Sequence, residues 1–154
     1  MARSRKPQRK PQPAAARRPR PQRAPRPTPA EAHLLRLARE ITGLPLAAAV
    51  EKLAAAWAPG AALPRDVAQA FLRSRGDKTS ALALAWAREQ VRLALAEIVA
   101  AAPKPGRGRI QAAPDTLAWL LLAACESIAH EPPSAVAERV SAILELSGHD
   151  ATAG

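Results

Sequence analysis

The sequence predicts an all-α protein: a bundle of about six helices, preceded by a basic, Pro- and Arg-rich tail with no fold of its own. Three observations carry this expectation. Apolar residues recur at three- and four-residue spacings from Leu34 to Leu144. No stretch alternates apolar and polar residues as a half-buried strand does. The formal charge of +10 is confined to the start of the chain, where ten of the 23 basic residues stand before Thr28 with no acidic residue among them. The remainder holds 13 basic and 13 acidic residues and is neutral.

Residues 1–28 read as a disordered tail. They lack large apolar groups, repel one another and carry prolines that favour extended conformations. Arg3, Arg5, Lys6, Arg9, Lys10, Arg17, Arg18, Arg20, Arg23 and Arg26 are its candidate nucleic-acid contacts. A polycation of this kind binds phosphate by counterion release and needs no base-reading element. It has no aromatic residue on which single-stranded bases could stack. With no apolar core segment it is not a secretory signal, and eight prolines from Pro7 to Pro29 oppose an amphipathic transit helix.

Residues 29–148 read as one helical domain. Thr28, Pro29 and Glu31 have the cap, first-turn proline and capping-box spacing of a helix start. That first helix runs to Ile41 with Leu34, Leu37 and Ile41 on one face, and Gly43 ends it. A second starts near Pro45 and places Leu46, Val50, Leu53 and Trp57 on a core stripe, stopping at Ala58–Pro59–Gly60. A third, ending at Gly76, turns Val67, Ala70 and Phe71 inward. The fourth and longest spans Thr79 to Ala102, with Leu84, Val91, Leu95 and Ile98 as its stripe and Leu82, Trp86 and Leu93 widening it. Arg88, Glu89, Arg92 and Glu97 fall on its outer side.

Pro103–Arg109 breaks the chain, and its Lys104, Arg107 and Arg109 read as a solvated link. The fifth helix is capped by Asp115, and the sixth carries Val136, Val140, Ile143 and Leu144 with Gly148 as its C-cap. Residues 149–154 form a disordered end.

No position from Leu117 to Cys125 is polar, so the fifth helix needs cover on every side. A second copy of the chain is the expected cover. The candidate dimer interface is Leu117, Leu121, Leu122, Cys125, Val136, Val140 and Ile143. The same apolar run is far shorter than the ~20 residues that cross a bilayer, so no membrane partner is expected.

Catalysis has no residues to carry it. His33, His130 and His149 lie on separate elements, and Cys125 and His130 fall on different faces. No metal-ligand spacing, nucleophile triad or nucleotide fingerprint is present, so no enzyme activity and no cofactor are expected. Cys125, the only cysteine, reads as a small core hydrophobe in a reducing, cytoplasmic setting, with association with the nucleoid as a variant of that location. Trp86 and Trp119, on the fourth and fifth helices, are the candidate lining of a pocket for a small apolar ligand, against the plainer reading of core packing.

The stretch Arg88–Val99, Gly106–Ile110, Pro114–Asp115, Leu117–Ile128 and Val136–Leu146 resembles the last three helices of the tetracycline-repressor (TetR) family. It is a long amphipathic helix, a glycine-containing link with a basic-apolar step, an apolar helix and a final amphipathic one. The resemblance is clearest over residues 79–148. It implies a regulatory, dimerising body that binds a ligand in some members. The family's N-terminal helix-turn-helix is not recognisable here. The chain has no tyrosine for the usual aromatic pair, and the second helix is too long. The segment Arg65–Phe71 is similar to the opening of such a motif.

Two functions therefore stand side by side. One is a TetR-like transcriptional regulator or regulatory fragment, dimeric through its last two helices, with generic nucleic-acid affinity from the tail. The other is a non-specific nucleic-acid-binding or scaffold protein with a histone-like tail and a helical interaction module.

Overall fold

In the computed structural model, which describes residues 26–103 and 112–146, Thr28 opens the first helix. Its Oγ1 accepts from the Glu31 N–H at 3.3 Å, and the Glu31 carboxylate accepts from the Thr28 N–H at 3.1 Å. Six α-helices follow in order: α1 (Pro29–Ile41), α2 (Leu46–Ala56), α3 (Ala62–Arg73), α4 (Lys78–Ala101), α5 (Pro114–Ser127) and α6 (Val136–Leu146). Two 3₁₀ turns, Ile128–His130 and Pro133–Ala135, join the last two. There is no strand among the described residues, so the all-α expectation holds. The expected disorder of residues 1–25 and 149–154, the Gly148 cap and the link cations Lys104, Arg107 and Arg109 lie outside the described residues.

Each break between the early helices uses a glycine where φ turns positive, at Gly43, Gly60 and Gly76. α4 starts one residue earlier than its sequence suggests, at Lys78, because Asp77 is the cap. Its Oδ1 accepts from the N–H of Thr79 at 3.0 Å and of Ser80 at 3.3 Å. The Ser80 hydroxyl, donating to the other oxygen, holds the Asp77 carboxyl below its ordinary value. Asp115, expected to cap α5, sits inside its first turn instead. Ala113 is the cap residue and supplies no side-chain bond, while Pro114 needs no donor partner at the first helical position.

α4 is the spine of the bundle. α1 packs along one side of it and α5 along another, and α2 closes the far end against α5 and α6. Val91, Leu95 and Ile98 of α4 meet Leu34, Leu37 and Ile41 of α1 and Leu122 and Cys125 of α5 in one continuous core. α3 is the peripheral element and packs on α1 and α4.

Three expectations are corrected here. Phe71 does not point inward but is 61% exposed. Leu82, Trp86 and Leu93 do not widen the core stripe of α4; they form an outer apolar stripe, all three exposed. Arg92 is not a free outer charge. Its guanidinium is held by Glu89 at 2.5 Å and by Asp115, and the Glu89 bond foremost raises its pKa above the ordinary value. Periodicity assigns the width of an apolar face, but the number of neighbours decides how much of it is covered, and α4 has two principal ones.

Candidate functional site

The predicted dimer face is already occupied by the chain itself. Leu121, Leu122, Cys125 and Ile143 are buried in the single core, and Leu117, Val136 and Val140 are half-buried against it. The reason is the position of α5, which is held between α4 on one side and α2 and α6 on the other. Only Trp119 and Leu120 face out, at 51% and 47% exposure. Among the described residues, the large apolar side chains left exposed are that pair on α5, the outer stripe of α4, Phe71 and Leu72 of α3 and Leu146 of α6.

Cys125 is a core group, as its neighbours in sequence suggest. Its thiol donates toward the Val50 carbonyl at 4.0 Å, and burial pushes its pKa up to about 12. Such a thiol is neutral and unreactive at physiological pH. Among the described residues no group of three or more His, Cys, Asp or Glu side chains could hold a metal ion. No helix among them is long and apolar enough to cross a membrane.

Trp86 and Trp119 both stand exposed, at 56% and 51%. Trp86 stands where the basic tail meets the body. With Ala83 and Thr79 of α4 it lines a cleft of about 220 Å³ shared with Arg26, Pro27 and Thr28. Arg26 is the one candidate nucleic-acid contact among the described residues and is exposed; Arg3, Arg5, Lys6, Arg9, Lys10, Arg17, Arg18, Arg20 and Arg23 lie outside them.

A larger cavity, about 510 Å³, opens between α3 and α4, where sequence reasoning placed none. Trp57, Val67, Ala68 and Phe71 line one side, and Leu84, Ala85 and Leu34 the other. Its polar end is a bidentate ion pair across helices: Arg88 Nε and Nη2 donate to the two Glu126 oxygens at 2.6 and 2.7 Å. The Glu126 bond raises the Arg88 pKa. His130 and Ser74 complete that rim, and the Ser74 hydroxyl donates to the Phe71 carbonyl at 2.9 Å. The Trp57 indole is buried, yet its Nε1–H has no hydrogen-bond partner among the described residues. The only sequence signal for this site was a large indole immediately before the Ala58–Pro59–Gly60 break. Arg88 and Glu126, 38 residues apart, could be paired only by folding.

Comparison with protein-family models, with curated proteins and with solved structures finds no match to this chain.

Proposed function

We propose that this chain is a nucleic-acid-associated regulator of the TetR-like kind, in which the helical body associates with a second copy and the basic tail supplies generic affinity for nucleic acid. The observation that carries this reading is the segregation of charge. The whole excess of +10 lies in the first 26 residues, while the rest of the chain is neutral. A neutral body has little reason to adhere to phosphate, and a tail without large apolar side chains has little reason to fold, so the two tasks divide cleanly. Association has its own support in the outward Trp119 and Leu120 of α5 and the Leu82, Trp86 and Leu93 stripe of α4. Exposed apolar residues of this size on neighbouring helices suit a partner surface.

One observation favours the non-specific variant of this reading. A helix-turn-helix needs its second helix crossed by the first through a short turn and free to enter a groove. Here Trp57–Ala61 separates α2 from α3, and α3 packs chiefly on α1 and α4. Uniform coating of any duplex points to the scaffold reading, and a discrete footprint to the regulator.

The test is duplex binding by the full chain against a full-length variant in which the ten tail cations are replaced by Gln. The native chain binds with log K falling against log salt at a slope of about −0.9 per phosphate contacted. The neutral-tail variant loses that binding and keeps its helical circular dichroism. Tight binding of one particular duplex by the variant at physiological salt overturns the reading, since a groove reader must then lie in the body. Sedimentation showing only monomer at tens of micromolar (about the range of ordinary subunit affinities) removes its dimeric half.

A further inference from the structure

The tail carries cations for phosphate but no ring for a base, and the ring that stands at its root, Trp86, belongs to the body. We infer that Trp86 is a stacking platform for an unpaired base, and that the groove leading from it between α1 and α4 holds a single nucleic-acid strand. The inference rests on the nucleic-acid reading of the tail and narrows its substrate class to single strands in preference to duplex. It does not depend on dimerisation.

The geometry begins with the direction of two helices. Thr28 and Glu31, at the start of α1, share a cleft with Thr79 and Ala83, at the start of α4. Thr42, just past the end of α1, lies with Ala94 and Glu97 toward the end of α4. The two helices therefore run side by side in one direction, and the tail leaves from the end where both helix dipoles are positive. Arg26, Pro27 and Trp86 line the cleft there. Leu35 lines that cleft and also the next, of about 450 Å³, where Arg39 of α1 stands with Gln90 and Leu93 of α4. The two clefts form one groove with an exposed arginine in each. The Glu31 carboxylate in its wall is engaged with the Thr28 N–H, and Glu97 marks its far limit.

Charge complementarity decides the occupant. A flat, 56% exposed indole beside a run of ten cations matches a chain of bases and phosphates, the pairing of ring and basic groove by which single strands are held. Only small side chains, Ala83 and Thr79, precede Trp86 on the same side of α4, so the ring is open toward the tail. A duplex keeps its bases stacked on one another and has no free face to offer, so Trp86 discriminates where the tail cations do not. A second copy fits this cleft poorly. A two-fold contact centred on Trp86 would bring two tail roots together, each with its ten cations. Trp119 and Leu120 of α5 do not line the groove and keep the partner role.

The test titrates the full chain with a labelled single strand of about 15 nucleotides, near the upper site size for one such groove, and with the duplex of the same sequence. Trp86→Ala weakens the single strand by roughly 5- to 150-fold, the effect of losing one base stacked on an aromatic ring, and leaves duplex binding unchanged. The loss is the same at every salt concentration, because stacking releases no counterions. Trp86→Leu keeps apolar bulk without a ring and behaves as Trp86→Ala does; Trp86→Phe keeps a ring and stays near the native chain. Indole emission is quenched by the single strand in the native chain and not in Trp86→Phe. Trp119→Ala, at a similarly exposed ring, changes neither titration. If the native chain binds neither ligand, the tail reading falls and this inference with it. If it binds both, and Trp86→Ala weakens them equally or not at all, the stacking site alone is overturned. Native binding by Trp86→Leu overturns it as well, since apolar area rather than a ring would be at work. Tighter binding of both ligands by Trp86→Ala would assign the groove to the chain's own tail. Loss of single-strand binding only in step with loss of association, followed by sedimentation, would assign Trp86 to the contact between copies. Either result overturns the inference.

Discussion

α1 and α3 are nearly equal in length, 13 and 12 residues, and both are amphipathic, yet the bundle treats them differently. α1 buries Ala30, Leu34, Leu37, Ala38 and Ile41, whereas α3 buries only Leu63 and Ala70. The apolar side of α1 packs chiefly on α4 and also meets α2 and α3. That of α3 meets α4 across a cavity, so Val67 is half-buried and Phe71 and Leu72 are exposed. The contrast shows that amphipathicity states a helix's capacity for burial, and that neighbours decide how much of it is used. It also locates the pliable part of the body. Fewer buried contacts mean a lower free energy of local opening, and α3 is the wall of the cavity that has room to move.

The largest expected effect contrasts one core position in each helix. Ile41→Ala removes a fully buried side chain at the end of α1 and costs about 2–5 kcal/mol in urea denaturation. Phe71→Ala removes a larger side chain but one mostly in water, and costs about 1 kcal/mol or less. Equal losses in the two variants would break the comparison, because α3 would then be as firmly held as α1.

A second measurement sharpens it from the core. Cys125 is fully buried against Val50 of α2, whereas α3 packs on α1 and α4, so opening of α3 alone is expected to leave it protected. Amide exchange in α3 therefore outruns reaction of Cys125 with a thiol reagent, and both become equally fast only near global unfolding. The same thiol adds a pH dependence of definite sign. Burial raises its pKa in the folded protein from the ordinary 9.0 to about 12, so the unfolded chain ionises first as pH rises. The contribution is fully present below about pH 9 and is lost toward pH 12, by at most about 1.4 kcal/mol per pH unit. The stability advantage over Cys125→Ala shrinks accordingly between pH 8.5 and 10.5. A constant difference would place the thiol in contact with water.

The smallest effect lies at the start of α1. Thr28→Ala removes the side-chain half of the capping box and costs about 1 kcal/mol. The loss appears as faster amide exchange in the first turn of α1, without change in α3. A loss spread over both helices would mean that α3 depends on the start of α1, and that the two are less independent than their burial implies.

How much of this was legible in advance depends on the range of the interaction. The capping box at Thr28, the glycine breaks at Gly43 and Gly76 and the inner stripe of α4 follow from neighbours three or four residues apart, and local chemistry specifies them. The boundary at Asp77 was readable by the same rule, since a short carboxylate two and three residues before free N–H groups is a cap. The segregation of charge, which carries the functional reading, is likewise a property of the linear chain. The choice of covered face is of another kind. Leu121 and Trp119 are two residues apart on one apolar run, but one is 2% exposed and the other 51%. Both side chains are large and mainly apolar; the placement of α2, α4 and α6 around α5 separates them. The cavity belongs with these, because a void is set by how closely whole helices approach, and Trp57, Phe71, Arg88 and Glu126 converge on it from four places in the chain. Local sequence determined which segments are helical and where they start and stop. Only packing decided which apolar surface is buried, which is left for partners and where the interior stays open.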